Sequence, residues 1–280
     1  MKAVIYQYWS GNLTQGNEAG VELMKEYASK IGVEYVFEKD PKWPQEAKIQ
    51  TEDLGPRAPY YGAFKPLFDS HYDTYDYILF CDTDVIPVKT GRSFPRQNIF
   101  GEFMQARIDN PGLEVWISEE YMQPKLRTQH NVGGITSEVD LAWARSVEDI
   151  FNIKLPRTED GLLRVFNSGV VMYSAYARKL AQKNFVDFKR YTTWCRIKGY
   201  GRFYQCDQPY LHVMLEKAFS GHWGVMPYKW NSQIHHTPGT GGQNPRPISD
   251  YRQDDTQFVH VQLSGADQFT MEEIKRAVND

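Results

Sequence analysis

Residues 75–87, YDYILFCDTDVIP, constrain this chain more than any other stretch. An apolar run from Tyr77 to Cys81 stops abruptly at two carboxylates one residue apart, Asp82 and Asp84. Short apolar runs of this kind suit a central strand of a parallel sheet buried on both faces. The carboxyl ends of such strands are where open α/β sheets bind ligands. Side chains at i and i+2 of an extended chain point the same way, so both acids can face one cation. Carboxylate oxygens suit hard ions such as Mn²⁺ and Mg²⁺. The pair is therefore read as the grip on a divalent metal that carries a nucleotide's phosphates.

Composition narrows what surrounds that strand. With 280 residues and 41% apolar content the chain can bury a sizeable core. A net charge of −3 argues against a dedicated nucleic-acid binder, which would carry a basic excess. Any anionic ligand must then be held by local donors or by a metal. Cys81, Cys195 and Cys206 form no CxxC pair, which argues against a zinc site or a disulfide framework. The opening MKAVIYQYW leads directly into a strand, and no apolar run is long enough to span a bilayer. A cytoplasmic protein with no membrane span is expected.

The order of elements fits that picture. Residues 2–6 read as a strand, and Asn17 as the cap of a helix over residues 18–30 that stops at Gly32. Residues 34–37 read as a second strand, completing a βαβ unit. Phe64, Leu67, Phe68 and His71 mark the buried face of a helix leading into the strand that ends at Asp82. This succession predicts parallel pairing. Further on, helices are expected over 100–110, 137–151 (capped by Ser137), 175–191 and 208–219, with strands at 114–118, 169–173 and 258–261. Residues 39–55 read as a surface excursion and 235–255 as a long Gly/Pro-rich loop able to act as a lid. Thr270 to Glu273 form a capping box. The whole, residues 1–280, reads as one domain: a nucleotide-binding front (1–118) and a mixed back half (119–280) that binds donor and acceptor.

Three later stretches can serve the acidic pair. Phe166-Asn167-Ser168-Gly169 puts an amide and a hydroxyl at the mouth of a buried strand, where Gly169 allows close backbone approach. Asp207-Gln208-Pro209 opens a helix, with Asp207 in capping position. Such an Asp-Gln pair can orient sugar hydroxyls near a reacting carbon. His260, in the apolar FVHV, can complete a metal site that two carboxylates leave short of a ligand. The adjacent His235 and His236 are a rival metal pair, ranked lower because neighbouring side chains seldom converge on one ion.

Taken together these stretches resemble the GT-A glycosyltransferases, most closely family 8, the glycogenin and galactosyltransferase group. The pieces run in the family's order: a helix carrying Lys65, the DxD of Asp82 and Asp84, FNSG (166–169), DQ (Asp207, Gln208), the pair Trp230-Asn231, and a late histidine strand at His260. The last element reads HVQLSG, with no lysine closely following, and departs from the family there. The resemblance implies a GT-A, Rossmann-like α/β fold with a mostly parallel central sheet flanked by helices. It implies Asp82, Asp84 and His260 as ligands of Mn²⁺ (or Mg²⁺). Gln7, Tyr8, Lys65, Asp82 and Thr83 would lie by the nucleotide, and Asn167, Ser168, Gly169, Asp207 and Gln208 by the donor sugar. Asp207 and Gln208 would take the catalytic roles.

The activity expected is transfer of a hexose from a nucleoside-diphosphate sugar, a UDP-sugar first, to a hydroxyl of a sugar, glycan or protein acceptor. Retention of configuration is implied by the resemblance alone. Two rivals remain at this stage. LFCDTDVI loosely matches the signature of haloacid-dehalogenase-type phosphatases, with Asp254-Asp255 as a later acidic pair, although Val85-Ile86 replaces the usual Gly-Thr. The other is a non-catalytic nucleotide-sugar-binding module using the same site.

Overall fold

A computed structural model describes residues 1–42, 59–88, 98–129, 135–235, 249–250 and 253–262. The front half runs β1 (Ala3–Trp9), α1 (Gln15–Ile31), β2 (Glu34–Lys39), α2 (Lys65–Phe68), β3 (Tyr77–Cys81) and β4 (Val85–Pro87). Next come α3 (Ile99–Asp109), β5 (Val115–Glu119), α4 (Gln123–Gln129), α5 (Ser137–Phe151) and β6 (Phe166–Ser174). The chain continues through α6 (Ala175–Asn184), α7 (Phe188–Ile197), α8 (Asp207–Lys217), β7 (Trp223–Met226), β8 (Ser232–His235), β9 (Ser249–Asp250) and β10 (Phe258–Gln262).

The main sheet has the order β2-β1-β3-β6-β5-β7. β1 pairs in parallel with β2 and β3, and β5 with β7, while β6 runs against both β3 and β5. Five strands share one direction and β6 alone opposes them, so the sheet is mostly parallel. Period-two alternation loads both of its faces. Val4, Tyr6, Ile78, Phe80, Val171 and Tyr173 enter one core, together with the buried aromatics of α7 and α8. Ala3, Ile5, Leu79, Cys81, Val170 and Met172 enter the other, together with Met24, Tyr27 and Ala28 of α1. Burying each large side chain is worth roughly 1.5–3 kcal/mol, which fixes the register strand by strand.

A second sheet, β4-β10-β8-β9, stands beside the first. β10 pairs antiparallel with β4 and parallel with β8. A small core of Ala19, Leu23, Ile86, Val259 and Val261 binds it to α1. The chain passes from one sheet to the other through the three residues between β3 and β4, which are Asp82, Thr83 and Asp84.

Several elements differ from the sequence reading for local reasons. Thr14, not Asn17, caps α1, accepting from Asn17 N–H, and the helix starts at Gln15. Thr136 likewise caps α5 and leaves Ser137 as its first residue. The helix expected over 175–191 is two helices, because Asp187 accepts from Arg190 N–H and starts α7 afresh. α2 is only four residues long, since Asp69 accepts from His71 N–H and opens a separate 3₁₀ turn, Ser70–Thr74. Phe64 and Leu67 are buried nonetheless. Ser249–Asp250, inside the expected loop, pairs with β8. Most of the 39–55 excursion, His236 and the rest of that loop up to residue 248, and the capping box at Thr270 lie outside the described residues. No helix among the described residues is long and apolar enough to cross a membrane.

Candidate metal centre and active site

The corner between β3 and β4 is a β-turn, closed by Val85 N–H donating to Asp82 O at 3.1 Å. Asp82 and Asp84 therefore converge through a turn rather than along extended chain. Between them Thr83 is buried, and its hydroxyl donates to Asn17 Oδ1 at 2.5 Å. That bond pins the corner to the first turn of α1. Gly20 permits the approach, since a Cβ there would lie 1.8 Å from the Thr83 carbonyl oxygen. On the other side Gln7 Nε2 donates to Asp82 O at 2.8 Å, while Gln7 Oε1 accepts from the Tyr35 hydroxyl at 2.8 Å. With Thr83 turned inward, the two acids are the corner's outward groups.

β10 brings the third group. His260 pairs with Val85 across the small sheet, and Val261 N–H donates to Asp84 O at 3.0 Å. This register sets His260 Nε2 at 3.2 Å from Asp84 Oδ1 and 3.9 Å from Asp82 Oδ2. One donor atom from each of the three residues lies within 4.8 Å of the others. The imidazole is 4% exposed, against 37% and 22% for Asp82 and Asp84, so the site is closed behind the histidine and open in front of the acids. Burial and the neighbouring Asp84 raise the pKa of Asp82, with His260 opposing them. Burial works against an imidazolium at His260, but Asp84, Asp82 and Glu120 outweigh it and raise its pKa. Two hard oxygens and one imidazole nitrogen suit Mn²⁺ or Mg²⁺, and a dication would relieve the repulsion between the acids.

Ser168, Gly169 and Asp207 of the FNSG and DQ stretches reach the same rim. Cys206, not Asp207, occupies the cap position of α8, so Asp207 is the first helical residue. Its Oδ2 accepts from the Ser168 hydroxyl at 2.7 Å. Burial pushes the Asp207 carboxyl up to about 6, with the Ser168 hydroxyl pulling the other way. Asp207 is close enough to Asp82 to raise the latter's pKa. Tyr8, whose hydroxyl donates to Tyr60 O, feels both carboxylates once burial has raised it. Gly169 lies directly under His260 and Asp82, since a Cβ would be 2.3 Å from His260 Cε1 and 2.8 Å from Asp82 Oδ2.

The strand order, the mixed sheet and this corner can be set beside known structures. Along 99% of its length the chain matches a glycosyltransferase involved in the glycosylation of the major capsid of PBCV-1, covering 98% of that chain, with a TM-score of 0.50 and 13% identity. The fold is GT-A. The galactosyltransferase LgtC, in complex with donor and acceptor sugar analogs, aligns over 98% of this chain and 95% of its own at a TM-score of 0.48 and 13% identity. The bifunctional glycosyltransferase WbbM aligns over 83% of this chain and 40% of its own, with a TM-score of 0.46 and 12% identity. No family model and no curated protein sequence matches the chain.

Within this GT-A frame the expected site residues divide into two sets. Asp82, Asp84, His260, Ser168, Gly169, Asp207 and Tyr8 come together. Gln7 and Thr83 brace the corner from behind. Asn167 is buried, and its amide is committed to Glu120, Asn231 and Gly169 N–H. Lys65 pairs with Glu38 at 2.5 Å and with Asp69 at 3.6 Å. Gln208 lines a small cavity with Arg127, Asp140, Tyr204 and His212. Asp254 and Asp255, the second acidic pair of the phosphatase reading, are exposed on the turn before β10.

One residue of the site, Glu120, a buried acid just past β5, was not singled out from sequence, and two named there in other connections also serve the site: Asn17 carries Thr83 and Asn231 touches His260. Glu120 had a signal in the chain, because Glu119-Glu120 follows an apolar strand much as Asp82 follows β3.

Proposed function

We propose that the protein is a divalent-metal-dependent glycosyltransferase that moves a hexose from a nucleoside-diphosphate sugar, a UDP-sugar first, to an acceptor hydroxyl. The observation that carries this reading is the convergence of Asp82, Asp84 and His260 at the edge of the sheet, with Asp207 alongside. When bound, the ion supplies positive charge to the departing diphosphate. Asp82 and Asp84 would hold it from the turn and His260 from β10. Asp207, oriented by Ser168, presents a carboxylate oxygen where positive character grows on the anomeric carbon, and Gln208 follows it on α8 with an amide. Retention of configuration, a sugar, glycan or protein acceptor, and a cytoplasmic setting complete the proposal. The three free cysteines support a reducing compartment.

The test is a screen of nucleotide sugars for Mn²⁺-dependent thermal stabilisation, followed by transfer and donor-hydrolysis assays with the best donor. Asp84→Ala is expected to lower metal-dependent turnover by at least about 100-fold. Undiminished turnover would remove the acidic corner from the account. UDP binding with Mn²⁺ but neither hydrolysis nor transfer would make the chain a binding module instead. Phosphate release from a simple phosphoester would favour phosphatase chemistry.

A further inference from the structure

Four buried side chains run in a line from the far side of β6 to the metal corner. Glu120 Oε1 accepts from Asn167 Nδ2 at 2.6 Å, and Asn167 Oδ1 accepts from Asn231 Nδ2 at 2.9 Å. Asn231 Oδ1 lies 2.9 Å from His260 Nδ1. Each of the four is at most 4% exposed, so bulk water cannot stand in for a missing partner. We infer that Glu120, Asn167 and Asn231 form a directed hydrogen-bond relay that holds His260 as its Nδ1–H tautomer, leaving the Nε2 lone pair free for a metal ion. The inference rests on Asp82, Asp84 and His260 being the ligand set.

The direction of the relay follows from a backbone group with no choice of role, the Gly169 N–H. An ionised Glu120, which only accepts, draws the NH₂ end of Asn167. Independently, the backbone N–H of Gly169 only donates, and it donates to Asn167 Oδ1 at 2.8 Å. Both fix Asn167 the same way round. Its oxygen then calls for the NH₂ end of Asn231, whose own oxygen is left facing the imidazole. An oxygen acceptor at 2.9 Å requires a proton on Nδ1. Turning either amide over would set oxygen against oxygen, or N–H against N–H, in a dry interior.

The consequence falls on the other ring nitrogen. With Nδ1 protonated, a neutral His260 presents a lone pair at Nε2 toward Asp84 and Asp82, which are themselves acceptors. Three acceptors within 4.8 Å of one another are relieved by a proton taken up at Nε2 or by a cation among them, and a metal ion competes with that proton for the same lone pair. The opposite tautomer would donate Nε2–H to Asp84 and satisfy the corner without a metal. The relay therefore favours a metal-binding corner over a self-satisfied one. Outer groups that orient a ligating histidine commonly contribute 10- to 100-fold in metal affinity. Asn231 is in these terms a positioning residue that touches neither substrate nor metal.

The test titrates MnCl₂ calorimetrically into the metal-free full chain, its Asn231→Leu, Asn231→Asp and Asp84→Ala variants, with melting curves of each. Asn231→Leu removes the acceptor and is expected to weaken Mn²⁺ binding by about 10- to 100-fold. Asn231→Asp keeps an acceptor for Nδ1–H but sets a carboxylate oxygen against Asn167 Oδ1. It should retain Mn²⁺ binding within about 3-fold while melting lower, splitting metal affinity from stability. In ¹⁵N spectra of histidine-labelled, metal-free protein at alkaline pH, the parent should carry its proton on Nδ1 of His260 and Asn231→Leu on Nε2. Parent-like affinity and tautomer in Asn231→Leu would overturn the relay, as would parallel losses of affinity and melting temperature in both Asn231 variants. If Asp84→Ala also leaves Mn²⁺ binding intact, the ligand set itself has failed, and the relay with it.

Discussion

Two regions of the protein that gather charge treat it in opposite ways. Around His212, every cation has its anion. Arg127 pairs with Asp140 at 2.8 Å and Arg157 with Glu148 at 2.8 Å, while Arg164 grips Glu119. The Tyr204 hydroxyl donates to Asp140 as well. Burial and the three guanidiniums push the pKa of His212 down to about 3, so it stays neutral. At the β3–β4 corner, Asp82 and Asp84 face each other with Asp207 near, and among the described residues the opposing group is the His260 imidazole. Paired buried charge orders a fold, whereas converging like charge at an open rim needs an ion from outside. Having charge inside does not tell the two regions apart; what tells them apart is whether the described residues supply the counter-charge.

The largest effect expected from this contrast is on the paired side. Arg127→Leu leaves Asp140 buried with, among the described residues, the Tyr204 hydroxyl as its side-chain partner, and should destabilise the metal-free protein by about 3–5 kcal/mol. That corresponds to roughly 10 °C in melting temperature for a chain of this size. Replacing both partners, Arg127→Leu with Asp140→Leu, should recover most of the loss, because no charge is then left uncompensated. A double variant as unstable as the single would mean that the pair does more than balance itself.

A smaller effect is expected from pH, on the unpaired side. Asp82, Asp207 and His260 all have raised pKa values, Asp207 to about 6. Each binds its proton more tightly in the folded state than in the unfolded chain. The folded state therefore carries more protons, and stability falls as pH rises. The fall should begin above about pH 4, where an unfolded aspartate ionises, and continue past about pH 6.5, where an unfolded histidine loses its proton. Because Asp82 keeps a solvent-facing side, the swing between pH 5 and 8 is expected to stay near 5 °C in metal-free protein. Saturating Mn²⁺ competes with those protons, so it should flatten or reverse the slope. A metal-free melting temperature that climbs with pH over this window would contradict the unpaired corner.

How much of this the sequence carried depends on the range of the contacts. β3 and its acids were legible because the apolar run and its ending are adjacent in the chain. FNSG and DQ were legible because each opens a strand or helix, and His260 because it is a lone imidazole inside an apolar strand. The turn that makes Asp82 and Asp84 converge was not, since i, i+2 spacing on an extended strand accounts for the same convergence. The relay was not legible either: its bonds span 47, 64 and 29 residues, and its directionality exists only once β6, β10 and the Trp230-Asn231 corner are assembled. The misplaced caps at Asn17 and Ser137 have a common cause, a threonine upstream that takes the position first. For Asn17 that displacement freed the side chain to hold Thr83, so the error fell on a residue with another task.

The smallest shift, and the sharpest, is expected from Asp82→Asn. The change keeps the side chain's shape and leaves the corner's backbone bonds to Gln7, Gly169 and Val85 untouched. It removes one of two like charges, so the metal-free protein should melt at the same temperature or slightly higher, and with a shallower pH slope. An ordinary buried aspartate such as Asp140 would behave in the reverse manner, since neutralising it strands Arg127. The same substitution should abolish stabilisation by Mn²⁺, because an amide oxygen brings no charge to a hard cation. Thermal melts with EDTA and with saturating Mn²⁺ decide the matter. Stability bought at the expense of metal binding would mark Asp82 as a residue held in tension for a ligand. A loss of stability with Mn²⁺ stabilisation intact would place it with the paired charges around His212, and the contrast between the two regions would collapse.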